Sequence, residues 1–295
     1  MKMSAEIYSG NMIEELLEPL VPQRFRDDER YREGHVRIIN ALPGRRIIGV
    51  HIPDMVSLSK TLVRRQDALD IIARFEAAAS EEAQTGRRDI LSHEEMMVWG
   101  MMINGLGRSS AALQLELLKQ YVPYIDNWAV CDHVAGAAKW FGRAVKQSLK
   151  VSLADGAGSL EGNDGRMCES LWKFLCGYFA SDREFEVRFA TVMAMCHFLD
   201  ERYLPRIFFR FDSLDFSRIR SEYVCSSDAK ISGRVAGEPP YYVRMGVAWC
   251  LATALAKFPD ETRAYLRHSR LPENVIRLYV RKARESFRTR SVSPF

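Results

Sequence analysis

Apolar residues recur at helical spacing along almost the whole of this chain, and that periodicity constrains the fold more than any other feature. Helices are predicted over 7–20, over 55–63 behind Pro53, and over 68–79. The run Ser92-His93-Glu94-Glu95 is a capping box, in which the Ser hydroxyl takes a backbone N–H while Glu95 reaches back. It opens a helix through Met96, Met97, Trp99 and Ile103 that Gly105 and Gly107 stop. Ser109 or Ser110 then caps 111–121, and Pro123 breaks the helix. Asp126-Asn127 caps the next helix, which carries Trp128 and Asp132. Further helices are predicted over 167–179, over 184–199 with a Ser181-Asp182 cap, and over 243–257 and 259–266. Pro272 begins the last, through Val275, Leu278 and Ala283. Only 45–52 has a β-like pattern, so the fold class is all-α.

Helices of this number and length suit either a compact bundle or an α-solenoid of stacked helix pairs. Loose two-helix units recur about every 35 to 50 residues, which favours the solenoid. A single domain over 1–295 is expected, interrupted by flexible insertions at about 152–166 and 213–240. The first is rich in Gly, Asp and Ser, and the second ends in Gly237-Glu238-Pro239-Pro240. With 47% hydrophobic residues the chain can bury a core. No stretch reaches the roughly 18 apolar residues of a membrane helix, and the start lacks the apolar core of a signal peptide. A soluble, cytoplasmic protein is expected.

The formal net charge is only +4, but its distribution is uneven. Between 262 and 290 lie Arg263, Arg267, Arg270, Arg277, Arg281, Lys282, Arg284, Arg288 and Arg290, opposed by Glu273 and Glu285. The first 33 residues are acidic. A basic C-terminal face suits a polyanion held through phosphate contacts, although a solvated helix face would show the same run.

Familiar catalytic signatures are missing. The run 105–110 follows a helix and lacks the Lys of a phosphate loop. The six cysteines form no CxxC pair, and the histidines show no ligand spacing, so no metal site and no nucleotide cofactor is expected. Two helical stripes are less ordinary. Trp128, Asp132, Ala135 and Lys139 fall on one stripe, placing an acid one turn from a large aromatic. On the other, Phe185, Val192, Met195 and Leu199 are interrupted by Arg188, a charge that must be paired or face a wet groove. The simplest partner for Arg188 is an acid on a neighbouring helix, with Asp132 a candidate. Trp249 shares a stripe with Tyr242, Met245 and Ala252 and on pattern alone reads as core.

The segments LELLKQYVPYIDNWAVCD (115–132), FASDREFEVRFATVMAMCHFLDERYL (179–204), YYVRMGVAWCLATALAKFPDETRAYL (241–266), RKARESFR (281–288) and HIPDMVSLSK (51–60) stand out together. They resemble the DNA alkylation repair enzymes, the AlkD-type DNA glycosylases. The resemblance implies a superhelical solenoid of HEAT-like helix pairs whose concave basic groove holds duplex DNA. It also implies hydrolysis of the N-glycosidic bond of cationic N3- and N7-alkylated purines by a monomer that uses no metal or cofactor. Asp132, Trp128, Arg188 and Trp249 are the catalytic residues so implied. Asp132 would steady a sugar turning cationic and orient water, the two indoles would face the cation, and Arg188 would grip a phosphate. DNA contacts are expected from Arg188, Arg244, Arg281, Lys282, Arg284 and Arg288. Val56 departs from the family pattern, which carries Arg there. The competing reading is a non-catalytic HEAT-like scaffold that binds nucleic acid or protein in the same groove.

Overall fold

The computed structural model describes residues 12–107, 111–154, 163–228 and 230–295. It is predominantly helical, as the periodicity predicts. The α-helices are α1 Met12–Leu17, α2 Gln23–Asp27, α3 Glu29–Ile39, α4 Ile52–Leu62, α5 Ala68–Thr85, α6 His93–Gly105, α7 Ala111–Tyr121 and α8 Trp128–Ala137. They continue with α9 Lys139–Ala154, α10 Asn163–Phe179, α11 Glu184–His197, α12 Leu204–Asp212, α13 Tyr241–Lys257, α14 Pro259–Leu266 and α15 Glu273–Glu285. Two strands of two residues each, β1 Val224–Cys225 and β2 Arg234–Val235, lie in the predicted 213–240 insertion, which holds no helix among its described residues. Of the predicted 152–166 loop, 155–162 falls outside the described residues, as do Ser109 and Ser110. The flanks of that loop are helical, closing α9 and opening α10. No helix among the described residues is long and apolar enough to cross a membrane.

The chain forms two compact units, one of 12–137 with 226–236 and the other of 138–225 with 237–295. In the first, α6 is buried on every side from His93 to Ile103 and packs against α1, α4, α5, α7 and α8. A helix apolar all round has to be enclosed in this way. The capping box starts it as predicted: Glu95 N donates to Ser92 Oγ at 3.2 Å, and Ser92 N donates to Glu95 Oε2 at 2.8 Å. The 45–52 segment forms no strand: 45–51 lies outside regular secondary structure and Ile52 already belongs to α4. Ile48 N and Gly49 N donate to the two oxygens of buried Glu94 at 2.8 and 2.7 Å. Gly49 has φ 102°, and a Cβ there would lie 2.4 Å from the Phe25 ring, so only glycine fits. Asn40, left-handed at φ 51°, ends α3 and ties 226–236 to this unit: its Nδ2 donates to Arg234 O at 2.9 Å, and Gly233 N donates to its Oδ1 at 3.0 Å.

His93, at the start of α6, is 4% exposed. Burial, then the charge of Arg45, then that of His35 push its pKa from an ordinary 6.5 to about 3. The folded state therefore holds this imidazole neutral where the unfolded chain protonates it. The stability it contributes is complete above pH 6.5 and is lost as pH falls towards 3. This group alone is expected to weaken folding by about 1.4 kcal/mol per pH unit in that window. Urea unfolding between pH 7 and 4 checks this, with His93→Gln flattening the slope.

In the second unit, α11 and α13 form the centre and are buried along most of their length. The packing runs α9 to α10 to α11 to α13 to α15 in chain order. The apolar stripe read on α11 is interior: Phe185, Val192, Met195 and Leu199 are all buried.

Candidate active site and basic face

In the first unit, α8 lays Val130, Cys131, Val134 and Ala135 against α6 and leaves Trp128 and Asp132 half-buried one turn apart on another side. The predicted stripe is shorter than it reads in sequence. Ala138 interrupts the helix, so Lys139 opens α9 and is not part of α8, and Ala135 is wholly buried. Residues at the end of α3 fix the start of α8. Asn127, buried, accepts Ala129 N at its Oδ1 (2.8 Å), capping α8, and donates its Nδ2 to Ile39 O at 2.9 Å. Trp128 Nε1 donates to the same carbonyl at 2.9 Å. Its N–H is thus committed to the backbone, which restrains the orientation of the indole. Burial also lowers the pKa of half-buried His133, favouring its neutral form beside Asp132.

Arg188 and Trp249 belong to the second unit, on α11 and α13. Arg188 is only 5% exposed. Its Nη1 donates to Tyr242 O at 2.6 Å, its guanidinium carbon lies 5.8 Å from the Tyr242 ring centre, and it rests against Gly246. The charge on the apolar stripe is thus met in part by a backbone carbonyl of α13, and a phosphate could reach only what little of the guanidinium remains exposed. Trp249 departs from its pattern-based reading. It is 38% exposed on a helix that is otherwise almost entirely buried, so its indole presents apolar surface to solvent. Met245, one turn earlier, is half-buried and carries Arg281 Nη2 at 3.6 Å from its sulfur.

The basic run is thinner in space than in sequence. Arg277 pairs with Glu273 and Arg281 with Glu285, each at 3.6 Å, and Lys282 lies 3.2 Å from Glu285. Exposed pairs of this kind contribute at most about 1 kcal/mol and yield readily to a phosphate. Arg284 and Arg288 are exposed and outside any ion pair among the described residues. Arg244 differs from these. It is 6% exposed, with Nη1 donating to Asn274 Oδ1 at 2.9 Å and its guanidinium carbon 4.8 Å from the Phe216 ring centre. Sequence reasoning missed Asn274 and Glu238, which surround it, because they lie 30 residues after and six before Arg244 with no motif linking them. Among the described residues no cluster of three or more His, Cys, Asp or Glu is placed to hold a metal.

Comparison with protein-family models, with curated proteins and with solved structures found no match to this chain.

Proposed function

We propose that this protein is a DNA glycosylase that hydrolyses the N-glycosidic bond of cationic N3- and N7-alkylated purines in duplex DNA. The observation that carries the reading is the Trp128–Asp132 pair, an aromatic face and a carboxylate one turn apart, both partly open, with the indole locked by Ile39 O. An alkylated purine is already positively charged and leaves easily. The bonding electrons depart with the base, water forms the new bond at the sugar C1′, and a water proton is released. Asp132 stabilises the cationic sugar between these events and orients the water. Trp128 contributes a cation–π contact of about 0.5 to 2 kcal/mol. Arg244, Arg281, Lys282, Arg284 and Arg288 hold phosphates, and Arg188 is chiefly a positioning residue for α13. The proposed architecture is a HEAT-like solenoid. In support, alternate helices pack side by side within each unit, α4 on α6 on α8 in the first and α11 on α13 on α15 in the second.

Release of 3-methyladenine and 7-methylguanine from methylated duplex DNA, followed by chromatography without added metal, tests the proposal. The wild-type protein is expected to release both well above the spontaneous rate, and release no faster than in buffer alone would remove the enzyme reading. The burial of Arg188 favours a second reading, a scaffold that binds DNA without excision, since one of the four implied catalytic groups is occupied within the protein. That reading expects duplex affinity with no released base.

A further inference from the structure

The surroundings of Arg244 form a site that the protein itself half fills. Arg244 is more than nine-tenths buried, yet its Nε has no hydrogen-bond partner. Nη1 is taken by Asn274 Oδ1, and Nη2 stands 3.9 Å from Glu238 Oε1, beyond hydrogen-bond reach. The second Glu238 oxygen accepts Asn274 Nδ2 at 2.7 Å. The amide orientation is set from both sides, because a guanidinium only donates and a carboxylate only accepts. Phe216 closes one face of the guanidinium. Burial pulls the Arg244 pKa below its ordinary value, while Glu238 and then Glu184 oppose that. The carboxylate doing part of this work is itself 69% exposed, on the Gly237-Glu238-Pro239-Pro240 turn.

A buried guanidinium with an orphaned donor gains from any anion that supplies the missing acceptors. Glu238 supplies them poorly, since one oxygen is spent on Asn274 and the other is too far from Nη2. A phosphate has the charge and the spread of acceptor oxygens to take the Arg fork and the Asn274 amide together. We infer that Arg244 and Asn274 form a phosphate-oxyanion site, and that Glu238 is an internal anion lying over it which a phosphate displaces. The inference rests on the proposed function only for the source of that phosphate, the backbone of duplex DNA.

The test is anisotropy titration of a fluorescent unmodified duplex at low salt, beside calorimetric titration of inorganic phosphate. Glu238→Gln removes the competing charge but can still accept from Asn274, and it is expected to bind duplex about three- to tenfold more tightly. Asp260→Asn releases the half-buried Arg263 from its 2.9 Å ion pair and controls for a simple change of net charge. It is expected to produce less than half the gain. Adding Asn274→Leu to Glu238→Gln is expected to cancel the gain while the fold, checked by circular dichroism, persists. A gain with inorganic phosphate alone also supports the site and assigns it to small phosphates. Equal gains from Glu238→Gln and Asp260→Asn, or no gain with either probe, overturn it. Because no base release is measured, a protein that fails as a glycosylase leaves this result interpretable.

Discussion

Asp132→Asn is expected to release methylpurines about 100- to 1,000-fold more slowly than wild type, with duplex affinity unchanged within about twofold. Asparagine keeps the shape and half-buried position of the side chain and removes the negative charge. If the reaction is limited by positive charge building on the sugar, losing that charge raises the barrier by about 2.7 to 4 kcal/mol, as for other fixed electrostatic groups. Binding is carried by phosphate contacts on basic residues elsewhere, so affinity is expected to hold. The split between unchanged binding and lost turnover separates catalysis from scaffolding, since a misfolded variant would lose both. Single-turnover release with enzyme in excess measures the chemical step free of product release. Wild-type rates from Asp132→Asn would take the carboxylate out of the mechanism.

How much of this was legible in the sequence depends on how local the controlling interaction is. The capping box at Ser92 and Glu95 spans four residues and could be read directly, and the same holds for the Asn127 cap on α8. The helix α3 was not read, because it buries only Ile39 and five of its 11 residues are charged, which leaves too thin an apolar stripe to mark it. Its start depends on Asp28, whose side chain accepts Tyr31 N at 3.0 Å. The break at Ala138 has no proline or polar cap to announce it, and a stripe drawn through it joined Lys139 to a helix it does not belong to. At the candidate site, the i, i+4 spacing of Trp128 and Asp132 was visible, but the Ile39 carbonyl that orients the indole lies 89 residues away. The exposure of Trp249 and the burial of Arg188 are set by the packing of α13 on its neighbours, which stripe analysis cannot resolve. Least visible of all was Arg45, which pattern alone placed in a β-like run.

Replacing Arg45 by methionine is expected to destabilise the first unit by about 3 to 5 kcal/mol and to lower its Tm by roughly 10 °C or more. The Arg45 side chain is 4% exposed, and all five of its N–H donors are engaged. Nη1 and Nη2 fork onto Glu82 at 2.9 and 2.8 Å, Nε and Nη2 reach Asp126 Oδ2 at 3.1 and 3.0 Å, and Nη1 also meets Leu91 O at 2.5 Å. Burial lowers the pKa of Arg45, but Asp126 and Glu82 outweigh that and hold it above its ordinary value. Methionine fills much of the same volume, so the loss is not a cavity. It comes from two buried carboxylates left without their cation. Neutralising both partners together, in Arg45→Met with Glu82→Gln and Asp126→Asn, is therefore expected to recover part of the stability, whereas a loss due to packing would persist. Equilibrium urea unfolding compares the variants, and an Arg45→Met midpoint equal to wild type would mean that water already screens these charges. The consequence reaches the candidate site because Asp126 immediately precedes Asn127 and Trp128. The cation that secures the 45–51 segment also fixes the entry to α8, so a variant retaining charge without the fork, Arg45→Lys, is expected to fold with the start of α8 less firmly placed.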